Sequence, residues 1–235
     1  MAKPRIISVF GDSILKGVTL SADTNRYCVS DRLDLEEIAE RYSVALDNRS
    51  RFGCTIEKGA MLLRRFAPTA SAGDAVLIEY GGNDADFDWA AVSERPTEEH
   101  LPHTPLPRFC ALLIELIGEL REKGLRPILM NLPPISSERY LDWITRNGLS
   151  KENILSWLGD ANAIYRYQEQ YSHAIEQIAV ATACPCVDVR GAFLHHRSIL
   201  PLLSPDGIHP NEAGQRVLHD ACSAAAEQLV QRVAD

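Results

Sequence analysis

Five short apolar runs punctuate the chain, at Ile6 to Phe10, Val44 to Asp47, Ala75 to Tyr80, Pro127 to Asn131 and Cys186 to Val189, and each reads as a strand. Between them the apolar positions change period. Phe109, Leu112, Leu113, Leu116, Ile117 and Leu120 fall at i, i+3, i+4, i+7, i+8 and i+11, one helical stripe that stops at Lys123-Gly124, a C-cap signal. A second stripe runs from about Ala161 through Ile164, Tyr167, Tyr171, Ala174, Ile175 and Ile178. A third runs from Asn211 through Ala213, Val217, Leu218, Ala221, Ala225, Leu229 and Val233. Shorter amphipathic stretches near Asp34 to Tyr42 and Ile56 to Phe66 fill the earlier gaps. Strands alternating with helices predict a parallel sheet in a three-layer α/β arrangement with right-handed crossovers.

Ligands of such a sheet bind beyond the carboxyl ends of its strands, so the residues just after each run matter most. Here they are polar and glycine-bearing. Two connections are long, Asp84 to Arg108 with Pro96, Pro102, Pro105 and Pro107, and Ser136 to Asp160. Long ordered loops carry binding or lid roles, and substrate choice is expected to reside in these two.

Composition narrows the class without naming an activity. At 235 residues and 46% hydrophobic, the chain can bury a large core as one domain over residues 1–235, without cross-links. Its net charge of −8 argues against nucleic acid and anionic membrane surfaces as partners. The N-terminal Met1-Ala2-Lys3-Pro4-Arg5 meets an apolar run that Gly11-Asp12 cuts off, too short for a signal-peptide core or a membrane span. A cytoplasmic protein is therefore expected, with Cys28, Cys54, Cys110, Cys184, Cys186 and Cys222 as thiols. Cys184-Pro185-Cys186 lacks the C-x-x-C spacing of a zinc site, and no metal is expected.

The chemistry-bearing residues follow the strands. Gly11-Asp12-Ser13 places a hydroxyl at the end of the first strand, where the next helix is expected to begin and its free amides would favour developing negative charge. Ser204-Pro205-Asp206-Gly207-Ile208-His209-Pro210 sets a carboxylate and an imidazole three residues apart, ahead of the last helix. A serine needs a base, and the base needs a partner that fixes its tautomer. Ser13, His209 and Asp206 can fill those roles. Two further post-strand segments, Asn48-Arg49-Ser50-Arg51-Phe52-Gly53-Cys54-Thr55 and Glu79-Tyr80-Gly81-Gly82-Asn83-Asp84, offer uncharged donors: the backbone amide of Gly53 and the side chain of Asn83.

With these segments the sequence resembles the SGNH, or GDSL, hydrolase family, whose four blocks carry a serine, a glycine, an asparagine and a histidine. All four occur in order between Val9 and His209. The resemblance implies a flavodoxin-like α/β/α fold with a five-stranded parallel sheet in the order 2-1-3-4-5. It also implies Ser13 as nucleophile, His209 as general base and acid, Asp206 as its orienting carboxylate, and an oxyanion hole of Ser13 N–H, Gly53 N–H and the Asn83 amide. In the glycine block, Ser50 stands where the family commonly has a glycine two residues after the asparagine, while Asn48, Gly53 and Thr55 match.

Blander readings hold elsewhere. Alone, Ser13 reads as a helix N-cap and His209-Pro210 as a helix start; the four ordered blocks reverse that. Asp12 reads as a residue that holds its loop. His195-His196 and Arg49 and Arg51 read as loop surface. Trp89, Trp143 and Trp157 either line a crevice or plug the long connections. The expected protein is a cofactor-independent serine esterase acting on a small-molecule ester, with acetyl or another short acyl group on a carbohydrate or similar alcohol favoured. The alternatives are a lysophospholipase or thioesterase, which needs an apolar acyl channel, an acyltransferase using the same acyl-enzyme, and a non-catalytic binding module. Oligomeric state is left open.

Overall fold

The structure, a computed structural model, describes residues 5–234. The reading of Met1 to Pro4, and the side chain of Val233 in the last stripe, lie outside the described residues. In chain order the strands are β1 (Ile6–Phe10), β2 (Val18–Leu20), β3 (Tyr27–Val29), β4 (Ala45–Asn48), β5 (Ala75–Ile78), β6 (Arg126–Met130) and β7 (Cys186–Val187). The helices are α1 (Leu35–Arg41), α2 (Ile56–Phe66), α3 (Trp89–Glu94), α4 (Leu106–Glu122), α5 (Ser137–Thr145), α6 (Lys151–Leu158), α7 (Asn162–Ala181), α8 (Val189–Leu194) and α9 (Glu212–Ala234).

β4-β1-β5-β6-β7 form one five-stranded parallel sheet, which is the 2-1-3-4-5 order. Successive strand residues face opposite layers, as the two-residue period requires. Phe10, Val76, Ile78 and Leu129 pack with α2, α4 and α7, while Val9, Leu77, Met130 and Val187 pack with α1, α8 and α9. The six residues of the α4 stripe are all buried against the first layer. At about 2 kcal/mol for each large apolar side chain removed from water, this face rather than intrinsic propensity holds α4 in place. Phe10 pairs with Ile78 at the strand ends, so the chain leaves β1 and β5 at one level and from one edge.

Three expectations are corrected. No helix starts at Ser13: residues 11–17 form a tight turn in which Gly17 takes a φ of +74°, and the antiparallel hairpin β2–β3 follows before α1 begins at Leu35. The two long connections are not loops throughout, since α3 lies in the first and α5 and α6 in the second. Local caps explain them: Asp88, Ser136 and Ser150 each accept a hydrogen bond from a first-turn amide. These helices and the start of α7 share a third core of Phe87, Trp89, Ile135, Tyr140, Ile154 and Ile164 beyond the carboxyl ends of the strands. Finally, β7 stops at Val187 because the Asp188 carboxylate caps α8, accepting from Gly191 N–H at 2.7 Å.

Candidate active site

Ser13 sits in the turn after β1, with 6% of its surface exposed. The Asp12 carboxylate shapes that turn by accepting from Ile14 N–H at 2.8 Å, and Lys16 N–H and Val18 N–H bond back to the carbonyls of Asp12 and Ser13. Asp12 thus holds the loop, as its position in sequence suggests.

The Ser204–Pro210 loop is built as tightly. Leu203 and Pro210 form an antiparallel bridge, Ser204 N–H donates to the His209 carbonyl at 2.8 Å, and Gly207 turns the chain at a φ of +77°. One Asp206 oxygen accepts from Ile208 N–H and His209 N–H, both at 3.1 Å. The other lies 2.7 Å from His209 Nδ1, and His209 Nε2 lies 2.9 Å from Ser13 Oγ. Burial works against the Asp206 charge, yet the bonds from the His209 ring and backbone outweigh it and hold the carboxyl below its ordinary value. A continuous chain therefore links a hydroxyl, an imidazole and a charged carboxylate, with His209 only 4% exposed. Tyr27 packs edge-on to the His209 ring at 5.2 Å and Phe52 stacks on it at 5.8 Å.

Asn83 links the two segments that carry the other predicted donors. Asn83 Nδ2 donates to Asp12 at 2.7 Å, while its second bond, to the Cys54 carbonyl, is long at 3.4 Å. The side chain of Asn83 so bridges the neighbour of Ser13 and the neighbour of Gly53. Among the described residues, the N–H groups of Ser13 and Gly53 have no hydrogen-bond partner. Gly53 takes a φ of +66°, which suits glycine. Asp84 does other work: both its oxygens accept from Ile56 N–H, at 3.0 and 3.1 Å, and cap α2 where Thr55 gives no side-chain cap.

Ser13, Asn83 and His209 line a cavity of about 410 Å³ that extends under α5 and the start of α7. Its walls are largely apolar, with Phe87, Trp89, Tyr140, Trp143, Ile164 and Tyr167 among them. The half-buried Asp86 carboxylate accepts from Trp89 Nε1 at 2.7 Å and from the Tyr140 hydroxyl at 2.6 Å, so these rings tie down their polar ends. Trp89 and Trp143 thus line the crevice, while Trp157 packs into the third core beside Phe87.

The model of the GDSL-like lipase/acylhydrolase family matches residues 9–217. The chain belongs to this family. As a GDSL-family member it is a serine hydrolase acting on ester bonds. Its fold is shared with a lipase/acylhydrolase from Enterococcus faecalis at 20% identity and a TM-score of 0.61, covering 94% of each chain. It is shared equally with a catalytic mutant of the acetylxylan esterase Axe2 from Geobacillus stearothermophilus, at 19% identity and a TM-score of 0.65, over 96% of this chain and 95% of that one. LAE5, an alpha/beta hydrolase from the Lake Arreo metagenome, aligns at 20% identity and a TM-score of 0.65 over 97% of each chain. No curated protein sequence matches.

In this GDSL-family chain the remaining candidates fall outside the site. His195, His196, Arg49 and Arg51 are exposed, and Arg49 pairs with Asp47 at 2.6 Å. All six cysteines are free thiols, and among the described residues no group of three His, Cys, Asp or Glu side chains is arranged to hold a metal. No described helix is long and apolar enough to cross a membrane. One residue of the site was missed: Glu79, fully buried, accepts from Asp12 N–H at 3.1 Å. Its signal was a carboxylate ending the otherwise apolar run Ala75 to Ile78, where charge is costly.

Proposed function

We propose that the protein hydrolyses a small-molecule carboxylic ester through an acyl-enzyme on Ser13. The observation that carries this reading is the unbroken hydrogen-bond chain from Ser13 Oγ through His209 to Asp206, beside two unpartnered backbone amides. Ser13 Oγ attacks the carbonyl carbon as His209 Nε2 takes its proton, and Asp206 stabilises the imidazolium. The N–H groups of Ser13 and Gly53 and the Asn83 amide receive the developing oxyanion. The C–O bond then breaks, His209 returns the proton to the leaving alcohol, and water attacks the acyl-enzyme by the same route in reverse.

The acyl group has two readings. A short one, such as acetyl on a carbohydrate or similar alcohol, agrees with the acetylxylan esterase among the structural neighbours. A larger, apolar one is favoured by the aromatic cavity of about 410 Å³ that opens beside Ser13, the apolar recess a lysophospholipase or thioesterase requires. Transfer of the acyl group to a sugar hydroxyl would use the same intermediate.

The test is a panel of p-nitrophenyl esters from acetate to palmitate with wild type and Ser13→Ala, and a fluorophosphonate label followed by mass spectrometry. Wild type should exceed Ser13→Ala by about 10⁴-fold or more in kcat, with one label on Ser13. Equal rates for the two proteins on every ester would refute the reading. A maximum at acetate selects the short acyl group and a maximum at octanoate or beyond the larger one, while an added acceptor that diverts product to a new ester reveals transfer.

A further inference from the structure

Behind the Ser13 turn lie two acidic side chains that the acyl-transfer steps do not use. Glu79 is 0% exposed and Asp12 2%. Asp12 N–H donates to Glu79 Oε2 at 3.1 Å, which brings the Glu79 carboxyl against Asp12. Gly11 makes that approach possible, because a Cβ there would stand 2.9 Å from Glu79 Oε2. Every Asp12 oxygen has a partner, Ile14 N–H on one and Asn83 Nδ2 on the other. Glu79 Oε1 has none, although it is sealed from solvent.

Asp84 from the same post-β5 loop, Tyr80 beside Glu79 and the Cys222 thiol on α9 act on or feel the Glu79 charge, and His209 acts on Asp12. Among the described residues no lysine or arginine forms an ion pair with Asp12, Glu79 or Asp84. Two unpaired carboxylates cannot both stay ionised at such a site, so one keeps its proton.

We propose that Glu79 is a positioning residue: it and Asp12 form a carboxyl pair sharing one proton, in which Glu79 donates to Asp12 and thereby fixes the oxygens that orient Asn83 and the Ser13 turn. The proton belongs on Glu79 because Asp12 already accepts two N–H bonds, which favour its charged form, whereas Glu79 accepts one. Burial, and then the Asp12 charge, push the Glu79 carboxyl well above the ordinary carboxylate range. One negative charge remains behind the Ser13 turn instead of two. This role rests on the esterase reading, whereas the shared proton does not.

The experiment compares wild type with Glu79→Gln and Glu79→Leu. Infrared difference spectra at pH 7 between wild type and Glu79→Gln should show the carbonyl stretch of a protonated carboxylic acid in wild type alone; its absence overturns the pair. In ester hydrolysis, Glu79→Leu should lose about tenfold or more in kcat with KM little changed, as a buried acceptor loses its donor. Glu79→Gln, whose amide still donates but cannot lose a proton, should recover most of that loss and should lack any alkaline fall in kcat that wild type shows as Glu79 ionises. A Glu79→Gln variant as impaired as Glu79→Leu, with both folded by thermal melting, overturns the positioning role. If Glu79→Leu does not fold, the infrared band and the Glu79→Gln pH profile still decide. Should Ser13→Ala prove as active as wild type, the esterase reading falls and the infrared result alone judges the pair.

Discussion

Gly207 joins Asp206 to the His209 segment, and replacing it with alanine tests whether that loop is as tightly specified as its geometry implies. Its φ of +77° lies where a side chain meets the backbone, at about 1 to 2 kcal/mol. The new Cβ would also stand 2.7 Å from Arg139 Cβ, 2.7 Å from the Ser136 carbonyl oxygen and 2.9 Å from Tyr140 N. Two of these three are backbone atoms at the start of α5, which cannot swing aside, so overpacking adds about 1 to 3 kcal/mol. Together Gly207→Ala should cost about 2 to 5 kcal/mol, or a fall in Tm of about 5 to 15 °C in a chain of this length. Because the strain is released by moving the loop, kcat should fall by about 10 to 100-fold even where the variant is fully folded. Urea unfolding gives the first quantity and initial rates on a soluble ester the second. Gly118→Ala is the control: it lies within α4 with nothing inside 4 Å of its Cβ, and should stabilise by about 0.5 to 1 kcal/mol. A Gly207→Ala protein within about 1 kcal/mol of wild type, with unchanged kcat, would show that the loop is looser than described.

Asn83→Ala should lower kcat by about 10²-fold or more with a smaller change in KM, measured on the same ester; an unchanged kcat removes Asn83 from the oxyanion site. Burial pushes the Asp84 carboxyl from 3.8 up to about 6, so the folded state holds that proton more tightly than the unfolded chain. Its stabilising effect is full below pH 3.8 and is lost as pH rises through about 6. Wild type should therefore lose up to about 3 kcal/mol relative to Asp84→Asn on going from acid to pH 7 in urea unfolding, and a pH-independent difference contradicts this. Ile164→Trp fills part of the cavity and should depress the octanoate-to-acetate rate ratio; a ratio equal to that of wild type would mean that the acyl chain lies elsewhere.

The sheet was legible because its strands are uninterrupted apolar runs and α4 and α7 carry long stripes, patterns that only burial on a fixed face produces. The hairpin was not. β2 and β3 have three residues each, and β3 is exposed throughout, so no alternation marks it. α3, α5 and α6 escaped notice because six to nine residues carry too few turns for a period to show, and their caps look like ordinary turn residues. At the site, Ser13, Asp206 and His209 were readable as residue types able to act together, but no spacing could say that 2.9 Å separates His209 from Ser13. Glu79 was hidden for a different reason: its meaning depends on Asp12, 67 residues away.

The loop around Ser204 is fastened to the front of the chain at several points. Its hydroxyl lies 3.1 Å from Thr19 Oγ1 and accepts from Leu20 N–H at 3.2 Å, and Gln215 Nε2 donates to the Val18 carbonyl at 3.0 Å. His209 follows Ser13 by 196 residues, so the proposed nucleophile has its base only once that distant segment is in place. The segment that brings His209 to Ser13 also fastens the hairpin, so loosening either one is expected to loosen the other.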